Sequence, residues 1–239
     1  MTISDPHDPQ LRQVPLLRTR KGRERSGLFA VEGEDLVAAA QAAGREPVAL
    51  FAAQGSGLPG TPVEPEVLDG ISTLGSGTRT IGVYEQAWGS PAGPLAMALW
   101  GVGDPGNVGT VARSALAFGA SSLLLGPGCA DPYGPKAARA SMGSIFALVP
   151  ARVETVEEMP GTVVALAAHE GEPLAAGGWP EGGDHPARWR RARGAATAGG
   201  RAGRPASPHP DRRRLAQRRH CGLHCPLCRL GEGLGWLLR

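Results

Sequence analysis

The residues with the most chemical content lie in one ten-residue run, DPGNVGTVAR, at 104–113. Arg113 carries a planar fork of donors suited to a phosphate or a developing oxyanion. Asn107 can cap a helix and offers an amide to a ligand. Gly106 and Gly109 allow backbone to come close to a bound molecule. Taken alone, the run also reads as a simple strand–turn–helix corner, with Asn107 as N-cap and Arg113 on a solvated face, because such turns are common. A second group is Lys21, Arg23 and Arg25, in a basic, polar segment at 11–27. These are the residue types that hold nucleic-acid phosphates, and they equally suit a solvated, flexible stretch. Glu32 could belong to a site and is read as structural. A third string, His220, Cys221, His224, Cys225 and Cys228, has zinc-ligand types without the two separated pairs that zinc sites usually use.

The elements around these groups form two α/β patterns. LFAVEG at 28–33 reads as a strand, EDLVAAAQAAG at 34–44 as a helix with acids first, Leu36, Val37 and Ala40 on one face and Gly44 as its stop, and PVALFAA at 47–53 and TIGVYE at 80–85 as strands. Residues 87–94, AWGSPAGP, read as a linker. A strand is then expected at 95–102, a helix at about 108–118, strands at 121–128 and 146–153 with a loop and helix between them, and a strand at 161–169. Strands alternating with helices imply a parallel sheet. The domains expected are 1–90, 94–177 and a separate tail, 178–239.

The 239 residues carry a net charge of +3, which hides a split. Residues 176–239 hold 13 Arg and no Lys against four acids, a balance of +9, while the remainder stands at −6. The tail has no Val, Ile, Phe, Tyr, Met or Asn, and its only β-branched residue is Thr197. It is therefore not expected to supply ordinary buried strands. No apolar run approaches the roughly 18 residues of a membrane span. The N-terminus lacks the apolar core of a signal peptide, so a cytoplasmic protein is expected. The four cysteines, at 129, 221, 225 and 228, do not suggest a disulfide framework.

Residues 100–153 closely resemble the first motif, and the loop and helix after it, of the SpoU (TrmH) family of SPOUT methyltransferases, including Ser141 and Gly143. RKGRERSGLFAVEGEDLV at 20–37 is similar to the opening of that family's substrate-binding domain, and the whole resemblance spans roughly 17–175. It implies an α/β fold: an L30e-like substrate-binding domain, then a SPOUT-type parallel-sheet domain with a trefoil knot, incomplete here. It implies S-adenosylmethionine as cofactor and the ribose 2′-hydroxyl of structured RNA, rRNA or tRNA, as substrate. It also implies a homodimer whose site borrows from the second subunit, and no metal. Arg113 would act on the 2′-hydroxyl while Asn107 helps form the site. Because a guanidinium stays protonated at neutral pH, Arg113 is read as an electrostatic stabiliser and positioner rather than a base. Lys21, Arg23 and Arg25 become candidate contacts for RNA phosphates.

Two further motifs that the resemblance implies, Gly-x-Glu-x-x-Gly and Ser-Leu-Asn-Val, are absent after residue 175, so no cofactor-binding residue is assigned in the written frame. Read from the second base of each codon, 189–196 permits Gly-Ala-Glu-Arg-Glu-Gly-Leu-Pro, 208–210 permits Arg-Ile-Pro and 215–219 permits Ser-Leu-Asn-Val-Ala. The three lie in one frame and in family order. The expectation is a tail translated out of frame from about residue 178. The rival readings are a zinc site at 220–228, a disordered RNA-binding arm at 188–219, and a non-catalytic RNA-binding remnant that has lost its cofactor site.

Overall fold

The computed structural model describes residues 2–159, 163–166, 190–192 and 234–238. The basic segment at 11–27 is folded, because Leu11, Val14 and Leu17 give it an apolar side that is buried. It forms α1 (Gln13–Leu16) and α2 (Arg20–Ser26). The Thr19 hydroxyl caps α2 by accepting from the Gly22 N–H at 3.1 Å. Gly27, at φ 69°, ends it in the left-handed conformation that glycine adopts without strain. There follow β1 (Leu28–Glu32), α3 (Glu34–Ala42), β2 (Ala49–Ala53), β3 (Thr61–Val63), α4 (Pro65–Ile71) and β4 (Thr80–Glu85). The sheet order is β1-β4-β2-β3; β4 is antiparallel to both its neighbours and β2 is parallel to β3. Phe51, Leu68, Ile81 and Val83 fill the core on one face.

The second domain contains β5 (Ala96–Trp100), α5 (Pro105–Ala117), β6 (Ser122–Leu125), α6 (Pro135–Ala140), α7 (Ser144–Ala147), β7 (Pro150–Arg152), β8 (Val163–Leu166), β9 (Arg190–Ala192) and β10 (Leu234–Leu238). The apolar run from 146, read as a strand, begins instead inside α7. Short apolar runs do not separate helix from strand by periodicity, and the strand is only Pro150–Arg152. The sheet order is β7-β6-β5-β10-β8-β9. β5, β6 and β7 pair in parallel, as do β8 and β9. β10 runs antiparallel to both β5 and β8. The tail thus supplies two strands, Arg190–Ala192 and Leu234–Leu238, although its composition did not suggest ordinary buried ones. LGWLL at 234–238 is short, uncharged and apolar, and that is sufficient for a central strand without β-branched residues.

A shared core joins the two domains. Phe29, Val31, Leu36, Ala40 and Tyr84 from the first pack with Tyr133, Ala138, Ile145 and Phe146 from the second. Phe29 lies 4.6 Å from Tyr133 and 5.6 Å from Phe146 between ring centroids. The Tyr133 hydroxyl donates to the Ala87 carbonyl and accepts the Ala87 N–H at 3.1 Å. Burial is the main influence that pushes this phenol above its ordinary pKa. Gly143, at φ 86°, sits where a Cβ would fall on that of Ala39.

Among the described residues no helix is long and apolar enough to cross a membrane, and no group of three His, Cys, Asp or Glu could hold a metal ion. The string His220–Cys228, the segments at which the shifted frame permits the missing motifs (apart from Arg190–Ala192), and any knot built from them lie outside the described residues.

Candidate active site

β5 delivers the chain to the edge of the sheet at Trp100, and α5 starts five residues later. The N-cap is Asp104, not Asn107: the Asp104 carboxylate accepts the Asn107 N–H at 2.9 Å. Pro105 fills the first helical position, where a missing N–H costs nothing. The helix therefore begins three residues earlier than the sequence suggests. The other Asp104 oxygen takes the Lys136 ammonium at 2.6 Å. Lys136 first, and then the Asn107 N–H, hold this carboxyl below the usual range. Both side chains are exposed, so the pair orients the corner more than it stabilises the fold.

The change of cap frees Asn107. Its side-chain amide makes no hydrogen bond among the described residues, and the residue is half-buried. Arg113 is exposed and also lacks a hydrogen-bond or ion-pair partner among the described residues. The two lie six positions apart on one helix, about 120° around it and about 9 Å along it. The structure does not bring them together on one face. Arg113 shares the outward stripe with Gly106, Thr110 and Ala117.

The two glycines have different surroundings. A Cβ on Gly109 would fall on the Ala137 carbonyl oxygen and lie 2.8 Å from the Ala140 Cβ. Gly109 is thus the contact through which α5 and α6 approach closely. A Cβ on Gly106 would lie 2.9 Å from an Asp104 carboxylate oxygen and 3.1 Å from Lys136 Cε. Gly109→Ala is expected to destabilise the chain by about 2 kcal/mol, since overpacking against rigid backbone costs about 1–3 kcal/mol and outweighs the gain in helix propensity. Urea unfolding measures it; unchanged stability would mean that α6 yields freely.

Next to this corner, the loops leaving β5 and β6 meet. The Gly101 N–H donates to the Pro127 carbonyl at 3.0 Å, and the Ala130 N–H to the Val102 carbonyl at 2.9 Å. In open α/β sheets, ligands bind outside the carboxyl ends of strands where the strand order reverses. Here that point lies beside β5. Between Gly101 and Ala130 these two loops offer main chain, glycines and one charged side chain, Asp104, whose oxygens are both engaged. This edge is the candidate place for a ligand. Cys129 belongs to its wall; its thiol contacts the Leu99 carbonyl at 3.2 Å and burial pushes its pKa up.

Of the basic candidates, Lys21 and Arg25 are exposed on α2. Arg23 faces inward and is 4% exposed. Its Nε and one terminal nitrogen donate to the same Asp131 oxygen at 2.8 and 2.7 Å. Its other terminal nitrogen donates to the carbonyls of Leu17 and Arg18 at 2.8 and 3.0 Å. This corrects the expectation of a phosphate contact at Arg23, which ties α2 to the loop after β6. Glu32 accepts from the Ser72 hydroxyl at 2.6 Å and from the Thr73 N–H and hydroxyl at 2.8 Å each, and so holds the end of α4. Sequence reasoning missed Asp104, Lys136 and Asp131. Pro105 was the signal for Asp104; nothing local marks the other two.

Comparison with known proteins agrees with this architecture. Residues 8–87 match the MRM3-like substrate binding domain and residues 94–170 match the SpoU rRNA Methylase family. An uncharacterized tRNA/rRNA methyltransferase of Synechocystis sp. is 28% identical over 165 residues, which cover 62% of this chain and 60% of that protein. The 23S rRNA (uridine(2479)-2′-O)-methyltransferase of Streptomyces viridochromogenes is 42% identical over 81 residues, covering 34% of this chain and 28% of that protein. A solved TrmH-family RNA methyltransferase from Porphyromonas gingivalis superposes with a TM-score of 0.61 at 25% identity, over 81% of this chain and 90% of that one. The chain spans less than two thirds of the length of either relative. Over residues 8–170 the chain is therefore similar to an MRM3-like substrate binding domain followed by a SpoU rRNA Methylase domain.

Proposed function

We propose that the chain derives from an S-adenosylmethionine-dependent RNA methyltransferase that modifies a ribose 2′-hydroxyl in rRNA or tRNA, in the cytoplasm. The observation that carries this reading is Arg113. It is an exposed guanidinium without a partner among the described residues, on a helix fixed at its start by Asp104 and along its flank by Gly109, in the segment that matches the SpoU family. When bound, the cofactor supplies a methyl group on a positively charged sulfur. The main chain at Gly101–Gly103 and Gly126–Gly128 would hold one side of it. Arg113 orients the ribose and stabilises the negative charge that develops on its 2′-oxygen. Asn107 presents its amide to the same pocket or its symmetry mate. Lys21 and Arg25 contact RNA phosphates.

The reading includes a homodimer. Asn107 and Arg113 face different ways on α5, and a second subunit at the site would let both contribute. Exposed Leu116 and Phe118 at the end of α5, 39% and 70% accessible, give a second copy an apolar surface.

The reading also includes a tail translated out of frame from about residue 178. Its support is the +9 charge balance, the end of the SpoU match at residue 170, and the three motifs permitted in one shifted frame. One added base, or two lost, between codons 174 and 185 would suffice. The test uses two chains, the written one and one with the frame restored, incubated with ribosomal or transfer RNA and methyl-labelled cofactor. The restored chain is expected to transfer label, and the modified linkage to resist alkaline cleavage, which requires a free 2′-hydroxyl. The written chain is expected to transfer none. Transfer by the written chain would remove the frame-shift reading, and transfer by neither would remove the enzymatic one.

A second reading has one observation in its favour. β10 occupies the position between β5 and β8, at the reversal of strand order, and runs against both neighbours. A sheet plugged there keeps its substrate-binding domain while losing the crevice, which suits a non-catalytic RNA-binding remnant. The same assay separates the two, because the remnant binds RNA and transfers nothing in either frame.

A further inference from the structure

Arg152 closes β7, the edge strand of the second sheet, and its guanidinium carbon lies 4.2 Å from the ring centroid of Trp88. Trp88 belongs to the segment between the domains and is 36% exposed. Its ring stands edge-to-face against Tyr133, with centroids 5.3 Å apart, and its N–H donates to the Gln86 side-chain oxygen at 3.2 Å. Tyr133 is itself fixed to Ala87 through its hydroxyl. The indole is therefore anchored through its ring and its N–H, and the Arg152 guanidinium lies over it. Arg152 is exposed and makes no hydrogen bond or ion pair among the described residues. A guanidinium stacked on an aromatic ring keeps its N–H edge free and has lost little freedom left to pay for a bidentate contact.

The neighbourhood spans both domains and holds exposed Glu154, Glu157 and Glu158 as well as cations. α2 carries exposed Arg20, Lys21 and Arg25. Its one acid, Glu24, is engaged by Arg20 at 2.7 Å. Gln86, which accepts the Trp88 N–H, donates to the Arg23 carbonyl of α2 at 3.2 Å, so α2 lies beside the Trp88 ring.

We infer that Arg152, held on Trp88, is a phosphate contact for an RNA strand on a surface that crosses the domain junction. The inference rests on the RNA-modifying reading and adds a contact to it. The neighbouring cations favour a polyanion, and the pinned fork suits a phosphate oxygen pair.

The test is anisotropy titration of a fluorescein-labelled RNA hairpin with a single-stranded loop, over a range of KCl, on the full chain. Arg152→Ala is expected to weaken binding about tenfold, because hydrogen bonds to charged groups are the stronger class, and to lower the slope of log affinity against log salt by about one. Arg152→Lys is expected to keep the parent slope and still lose affinity, since a lysine retains the charge and not the fork. The double variant Lys21→Ala, Arg25→Ala serves as the comparison. If it weakens binding while Arg152→Ala keeps the parent affinity and slope, the RNA reading stands and this inference falls. If the parent chain does not bind the hairpin, both fall.

Discussion

Methyl transfer to RNA by the frame-restored chain is expected to fall on the order of a hundred- to a thousandfold in kcat when Arg113 becomes alanine, the loss seen when one donor to a developing oxyanion is removed. The alcohol is the poor reactant in this chemistry, and the group that steadies its oxygen controls the barrier. Stability is expected to stay within about 0.5 kcal/mol, because Arg113 is exposed and engages nothing else among the described residues. That separation makes the result interpretable: a large rate loss in a fully folded variant belongs to the reaction. Arg113→Lys is expected to recover only part of the rate, since a point charge replaces a planar fork. Single-turnover transfer of labelled methyl measures both. An unchanged rate in Arg113→Ala would end the assignment of this residue, whatever the family.

The second large effect is structural. Arg23→Ala is expected to cost about 3–5 kcal/mol of stability, the range for breaking a buried pair by removing one member. The reason is what remains behind: Asp131, with its side chain 14% accessible, and the carbonyls of Leu17 and Arg18, all without their donor. Replacing both charged residues by apolar ones, Arg23→Met with Asp131→Leu, is expected to restore much of the loss, because the uncompensated charge disappears with its partner. Urea unfolding of the two single variants and the double gives the coupling between them. Additive costs would show that the two side chains stabilise the fold independently, against the geometry described here.

Much of the fold was legible because its signals are local. The strands at 28–32, 80–85 and 96–100, and the helix after DPGN, follow from apolar patterning and turn residues. The misread features share one cause, dependence on distant chain. Nothing between 20 and 26 distinguishes Arg23 from Lys21 and Arg25; its role is fixed by Asp131, more than a hundred positions away. Gly109 reads as a ligand-approach glycine until α6 is placed beside it. Asp104 was readable, since a proline directly after an aspartate marks an N-cap, and Asn107 drew the attention instead. In the tail, overall composition masked five apolar residues at 234–238, and an average over 64 residues says little about a strand of five.

The shared aromatic core has a further consequence. Phe29 and Tyr84 on one side pack with Tyr133 and Phe146 on the other, so the two domains are joined through buried side chains as well as through the connecting chain. A molecule joined in this way acts as a ruler. Under the proposed reading, an RNA gripped by the first domain would meet the second at a set span, and choice of target would be a matter of length and shape rather than of base identity.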